Sequence, residues 1–142
     1  MPHTHLSFAT LTQLHPRIVC MTVNEGIELD VDQCREYEDW RCDNVRQSYG
    51  LLLDKSSSFS WSYEAQQWLV RAPSLAVMAV LSYTRMSDLS FEVLKSIPGR
   101  GDRPMALFHN RANAMHWLYQ QLECADQSRF FREASQIILP SA

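Results

Sequence analysis

The sequence predicts an α/β fold: a single mixed, mostly parallel sheet of about five strands with four to five helices and an N-terminal antiparallel hairpin. Three observations predict it. Between Arg17 and Glu123, short apolar runs alternate with stretches of helical spacing. Polar turns holding Ser, Asp or Asn separate the two kinds of segment. The first two β-type runs are joined only by His15-Pro16. Strands alternating with helices of this length are βαβ units, and strands with so short a link pair antiparallel.

The elements follow in order. Phe8 to Leu14 and Arg17 to Val23 form the hairpin, with Pro16 restricting the turn. In the second run Ile18, Cys20 and Thr22 face one way and Val19, Met21 and Val23 the other; both sides are mostly apolar, so this strand is central. Asp30 is a good N-cap, with Gln33 placed as in a capping box. The helix from Val31 to about Asn44 has an apolar stripe of Val31, Cys34 and Tyr37, with Trp40 at its edge. The charges between Arg35 and Arg41 read as its solvated face. Leu51-Leu52-Leu53 is a strand ending at Asp54. A serine-rich loop follows from Lys55 to Ser60.

Ser62 caps a second helix, in which Ala65, Trp68, Leu69 and Ala72 recur at helical spacing until Pro73. Leu75 to Leu81 is apolar on both faces and is the strongest strand. Ser87 or Asp88 caps the third helix, with Leu89, Val93, Leu94 and Ile97 as its stripe. Gly99 to Arg103 is a loop. Its G-R-G precedes a strand instead of following one, which excludes a dinucleotide fingerprint. Met105 to Phe108 is the last strand. Asn110 caps a fourth helix carrying Ala114, Trp117, Leu118 and Leu122. After a break at Asp126 to Ser128, Arg129 to Ile138 forms a fifth amphipathic segment.

The 142 residues suit one domain. Residues 1–7 are expected to be a flexible N-terminus, 8–125 the core, and 126–142 a C-terminal amphipathic helix and tail. The chain is 46% hydrophobic and 20% charged, ordinary for a globular protein. Its net charge of −3 provides no footprint for nucleic acid. No apolar run approaches the ~18–20 residues of a membrane span, and residues 1–8 lack a secretory pattern. A cytoplasmic location is expected. Cys20, Cys34, Cys42 and Cys124 show no C-x-x-C spacing and read as buried thiols rather than a disulfide or metal framework.

The element order, the strand Leu51-Leu52-Leu53-Asp54, the strand Leu75 to Leu81 and the segment Phe108-His109-Asn110-Arg111-Ala112-Asn113-Ala114-Met115-His116-Trp117-Leu118 resemble the STAS-like family. These are SpoIIAA-like proteins related to anti-sigma-factor antagonists. The resemblance covers roughly residues 7–123. It implies helices gathered mainly on one face of the sheet and a non-enzymatic regulatory module acting through protein contacts. In anti-sigma-factor antagonists the third strand runs into an Asp-Ser-Ser/Thr-Gly turn whose hydroxyl is phosphorylated. Here the turn is Asp54-Lys55-Ser56-Ser57-Ser58; a lysine separates the Asp from the serines and the glycine is absent. The resemblance also implies a likeness to folds that bind lipids or other apolar ligands.

Ligands of parallel α/β sheets bind at the carboxyl ends of the strands. The candidate ligand or anion residues there are Asp54, Ser56, Ser57, Tyr83, Arg85, His109, Asn110 and Arg111. Helix N-termini favour anions, although the same Ser and Asn serve as caps with or without a ligand. Phe59 and Trp61, in the serine-rich loop, and Phe130 and Phe131 are the candidate apolar contact surface. No metal set, cofactor motif or nucleophile–base pair occurs; an enzyme reading, with Asp54, Tyr83, Arg85 and His109 as its site, ranks last. The central strands are apolar on both sides, so something must cover the second face. The segment Arg129 to Ile138, a second subunit, an apolar ligand, or helices on both faces would each do so. A homodimer, a protein partner or an apolar small molecule are therefore the expected partners. With only Arg129 and Arg132 in the terminal segment, membrane contact is expected to be weak.

Overall fold

A computed structural model describes residues 3–99 and 103–138, excepting the side chains of 127–138. Among these residues the chain is α/β, with eight strands and four helices. The strands are β1 (His3–His5), β2 (Ala9–His15), β3 (Ile18–Val23), β4 (Glu28–Leu29), β5 (Tyr49–Asp54), β6 (Ser60–Trp61), β7 (Leu75–Leu81) and β8 (Met105–Phe108). The helices are α1 (Val31–Asn44), α2 (Tyr63–Val70), α3 (Arg85–Lys95) and α4 (Arg111–Ile138). Six strands form one mixed sheet in the order β1-β2-β3-β5-β7-β8. The pairs β1–β2 and β2–β3 are antiparallel, and β3, β5, β7 and β8 run parallel. The sixth strand was not expected: His3–His5, in the segment read as a flexible end, pairs with Thr10–Thr12 as the sheet's edge.

Each crossover from β3 to β5, β7 and β8 steps one strand in the same direction. Right-handed connections then place α1, α2 and α3 on one face. Tyr37, Leu69, Val70, Phe91 and Leu94 pack there on Val19, Met21, Leu51, Leu53, Met78 and Val80. The capping box at Asp30 and Gln33 and the cap at Ser62 form as expected. Arg41 departs from the solvated face: it is buried, where it bonds Glu38 and the Val45 carbonyl. Below it the Tyr37 and Tyr49 hydroxyls meet at 2.6 Å. Burial pushes Tyr49 up to about 12 and raises Tyr37 well above its ordinary value, so both stay protonated. Tyr37→Phe strands the Tyr49 hydroxyl and is expected to cost about 1–3 kcal/mol in urea unfolding. Tyr37→Phe with Tyr49→Phe should cost less than the sum of the single changes.

The second face is covered by α4. Ala114, Leu118 and Leu122 pack on Ile18, Cys20, Leu52, Val77, Ala79 and Leu81. Gly50 permits the close approach, since a Cβ there would sit 3.2 Å from both Leu118 Cδ2 and Val77 Cγ1. The apolar surplus of the central strands is thus met by the first half of α4, without a subunit or ligand. Helices therefore lie on both faces. The break expected at Asp126 to Ser128 does not occur; α4 is one helix to Ile138. The side chains of Phe130 and Phe131 lie outside the described residues. No helix among the described residues is long and apolar enough to cross a membrane.

α3 departs most from its expected form. It starts three to four residues early, capped by the Thr84 hydroxyl on the Ser87 N–H. Its inner side is Phe91 and Leu94, with Ile97 buried just beyond its end. Leu89 and Val93, expected inside, are 51% and 57% exposed.

Candidate functional site

Two stretches fix the loops at the carboxyl ends of β3 and β5. Beyond β3 the chain turns at Gly26, whose φ of +76° favours glycine. Beyond β5, residues 55–59 lead to β6. The two connections are tied together: Gly26 N–H donates to the Ser58 carbonyl, Ser58 N–H to Glu25 Oε2, and β4 pairs in parallel with β6. The Ser57 hydroxyl donates to the Val23 carbonyl. The serine-rich loop is therefore pinned, and the Ser57 hydroxyl is already engaged.

Strand alternation then separates two adjacent charges. Asp54 points to the face of α4. Its Oδ1 accepts from Ser56 N–H at 3.0 Å and its Oδ2 from Arg111 Nη2 at 3.3 Å. Lys55 points to the face of α3. Its ammonium donates to Ser90 Oγ at 3.1 Å and lies 5.0 Å from the Phe59 ring centre and 5.4 Å from that of Trp61. The two rings meet edge to face at 5.7 Å. Lys55 is 8% exposed. Among the described residues no carboxylate lies within ion-pair distance of it. Burial lowers its pKa from the ordinary lysine value, while the two rings favour its charged form.

Beside Lys55 opens a cavity of about 720 Å³, bounded by the 55–61 loop on one side and α3 on the other. Ser56, Ser57, Phe59, Trp61 and Tyr83 line it, as do Met86, Ser90 and Val93 from one face of α3. Gln66 adds a buried Oε1 that accepts no hydrogen bond among the described residues. Glu25 contributes a carboxylate to the lining, held by the Ser58 N–H.

The expected site residues divide between this cavity and other places. Ser56, Ser57, Tyr83, Phe59 and Trp61 reach it. Phe59 and Trp61 are half-buried beneath Lys55 rather than freely exposed. Asp54 and Arg111 pair on the opposite face, next to Cys20, whose thiol burial pushes up against the opposing effect of Arg111. Asn110 caps α4 through Asn113 N–H. Arg85 opens α3 and joins no ion pair among the described residues. His109 Nε2 lies 3.0 Å from Asp88 Oδ1, which also accepts from Ser82 Oγ at 2.6 Å. The Ser82 and then the His109 hydrogen bonds hold the Asp88 carboxyl below its ordinary range. Asp stands between Ser and His here, whereas a hydrolytic triad needs His in the middle to take the serine proton. Tyr83 also senses Asp54: burial first, then the Asp54 carboxylate, raises its phenol. Among the described residues no hydrogen bond or ion pair joins Asp54, Arg85 and His109 to one another, so the four residues of the enzyme reading do not form one linked group.

Lys55 was absent from the expected set. In the sequence it appears only as a residue interrupting an Asp-Ser turn. One signal does mark it: Lys55 and Lys95 are the only lysines among the 13 basic residues, the others being arginine. Lysine supplies a compact point charge on a flexible stem where arginine imposes a planar fork. The four cysteines are free thiols, with Cys20 and Cys34 buried and Cys42 and Cys124 exposed, the last two against expectation. No group of three or more His, Cys, Asp or Glu suited to a metal occurs among the described residues. Comparison with protein-family models, curated proteins and solved structures finds no match to this chain.

Proposed function

We propose that this protein binds a small organic anion with an apolar body in the cavity beside Lys55. Lys55 carries the reading. A buried ammonium that meets a hydroxyl and two ring faces, with no ion-pair partner among the described residues, gains from an incoming anion that replaces its lost hydration. Phe59, Trp61, Met86 and Val93 offer apolar surface to the rest of the molecule. The ligand thus combines a carboxylate or phosphate with an apolar portion. This is the apolar-ligand alternative of the sequence reading, with a charged head added.

Calorimetric titration with benzoate and phenyl phosphate tests it, with benzyl alcohol as the neutral counterpart. Both anions are expected to bind at least about tenfold more tightly than the alcohol, the scale of one charge-assisted hydrogen bond. Equal affinities would sink the reading.

A second reading keeps a STAS-like regulatory module that acts through protein contacts. The exposed apolar residues on the outer side of α3 favour it. The homodimer loses its main support, because α4 already covers the sheet's second face. A partner would dock on α3 instead.

A further inference from the structure

Of the six large apolar side chains exposed among the described residues, four fall between residues 83 and 93: Tyr83 at 55%, Met86 at 75%, Leu89 at 51% and Val93 at 57%. The last three recur at helical spacing, so they form a stripe about 10 Å long on the outside of α3 at 1.5 Å per residue. The inner side of α3 is occupied by Phe91 and Leu94, so the stripe is additional to the core. Tyr83, Met86 and Val93 also line the Lys55 cavity. Met86 and Val93 therefore belong both to the cavity wall and to the exposed outside of the helix.

We propose that the stripe holds the alkyl chain of a soluble single-chain amphiphile whose anionic head meets Lys55. The inference rests on the anion reading of the cavity and gives its ligand a shape. Head and tail surfaces meet on α3: Met86, Ser90 and Val93 share one face of it, and Ser90 is the residue that bonds Lys55. The dimensions suit a chain better than a protein. A stable interface buries about 800 Å² per partner, and four partly exposed side chains flanked by Arg85, Asp88, Glu92 and Lys95 offer a fraction of that.

The test is calorimetric titration of the intact protein with straight-chain carboxylates from butanoate to decanoate, each below its micelle-forming concentration. Affinity is expected to rise about two- to fourfold per methylene, the upper figure corresponding to full burial. The rise should level off once the chain outruns the stripe. In Met86→Ser with Leu89→Ser, both exposed positions that leave the core intact, the rise per methylene should largely vanish. In Lys55→Met the whole series should weaken. If the carboxylates bind through Lys55 with no dependence on length, the chain proposal is overturned and the anion cavity stands. If neither the carboxylates nor benzoate bind, both fail. Two further arms separate other occupants. Co-flotation with phosphatidylcholine–phosphatidylglycerol vesicles without binding of decanoate assigns the stripe to a bilayer surface and overturns the proposal. So does light scattering that shows a dimer which Met86→Ser with Leu89→Ser converts to a monomer.

Discussion

Lys55→Met is expected to weaken the binding of benzoate or phenyl phosphate by roughly 10- to 100-fold, the loss of one charge-assisted hydrogen bond. The same change should make the empty protein more stable. Lys55 is 8% exposed and has no carboxylate partner among the described residues, so its charge is desolvated with limited compensation from Ser90, Phe59 and Trp61. Methionine has nearly the same reach and no charge, and a gain on the order of 1 kcal/mol follows. The gain depends on pH, with a definite sign. Burial places the folded pKa of Lys55 below the ordinary 10.5. Below the folded value both states hold the proton, and the folded state bears the full penalty. Between the folded value and 10.5 the unfolded chain holds a proton that the folded chain has released, so stability rises with pH. The advantage of Lys55→Met in urea unfolding should therefore be largest at neutral pH and shrink through that alkaline window. Binding should show the counterpart. An anion raises the pKa of Lys55, so binding in the same window takes up protons and none at neutral pH. Titrations in buffers of different ionisation heat measure that uptake. A stability gap that widens with alkalinity would contradict the uncompensated ammonium.

Most of the fold was legible in the sequence because it rests on period and punctuation. Leu75 to Leu81 is apolar at every position, and only a central strand can use such a run. Asp30, Ser62 and Asn110 announce three helix starts by side-chain chemistry that acts within three residues. What escaped the reading depends on contacts distant in the chain. The two-residue strands Glu28–Leu29 and Ser60–Trp61 have no periodicity to detect; each exists because the other is present. His3–His5 is polar and forms a strand because Thr10–Thr12 offers an open edge. α3 misled for a different reason. It bears two apolar faces, and spacing alone cannot say which of Leu89, Val93, Phe91 and Leu94 turn inward.

The site was half legible by the same logic. The rule that ligands meet parallel strands at their carboxyl ends put Ser56, Ser57 and Tyr83 where the cavity lies. It also gathered Asp54, His109 and Arg111, which the alternation of side chains sends elsewhere. Lys55 is the most instructive omission. Directly after Asp54 in sequence, it looks neutralised. One step along a strand reverses the face, and the two charges end on opposite sides of the sheet, each with its own surroundings.

Leu118→Ala should destabilise the protein by about 2–5 kcal/mol, the range for truncating a fully buried leucine. Leu118 is 0% exposed and is the central side chain of α4 on the second face, between Ala114 and Leu122. It packs over Gly50 of β5 and with Val77 of β7, so little nearby structure is free to collapse into the space left. Gly50→Val probes the same contact from the other side. A Cβ already falls 3.2 Å from Leu118 Cδ2 and Val77 Cγ1, and the branched methyls of valine need more room than α4 leaves. Overpacking of this kind costs about 1–3 kcal/mol. The two variants should share a local signature. Arg17 holds Asp126 at 2.6 Å and the Ser48 carbonyl at 2.7 Å, tying α4 to the start of β3 at one end. An ion pair with one exposed partner contributes at most about 1 kcal/mol, so it cannot retain the helix once its apolar seat is lost. Hydrogen exchange along residues 111–126 should therefore accelerate more than exchange in α1 or α2, because those helices pack on the opposite face. If Leu118→Ala lowers stability by less than 1 kcal/mol, or exchange quickens equally in all helices, α4 is not what closes the second face. The unmatched apolar strands would then again require a partner.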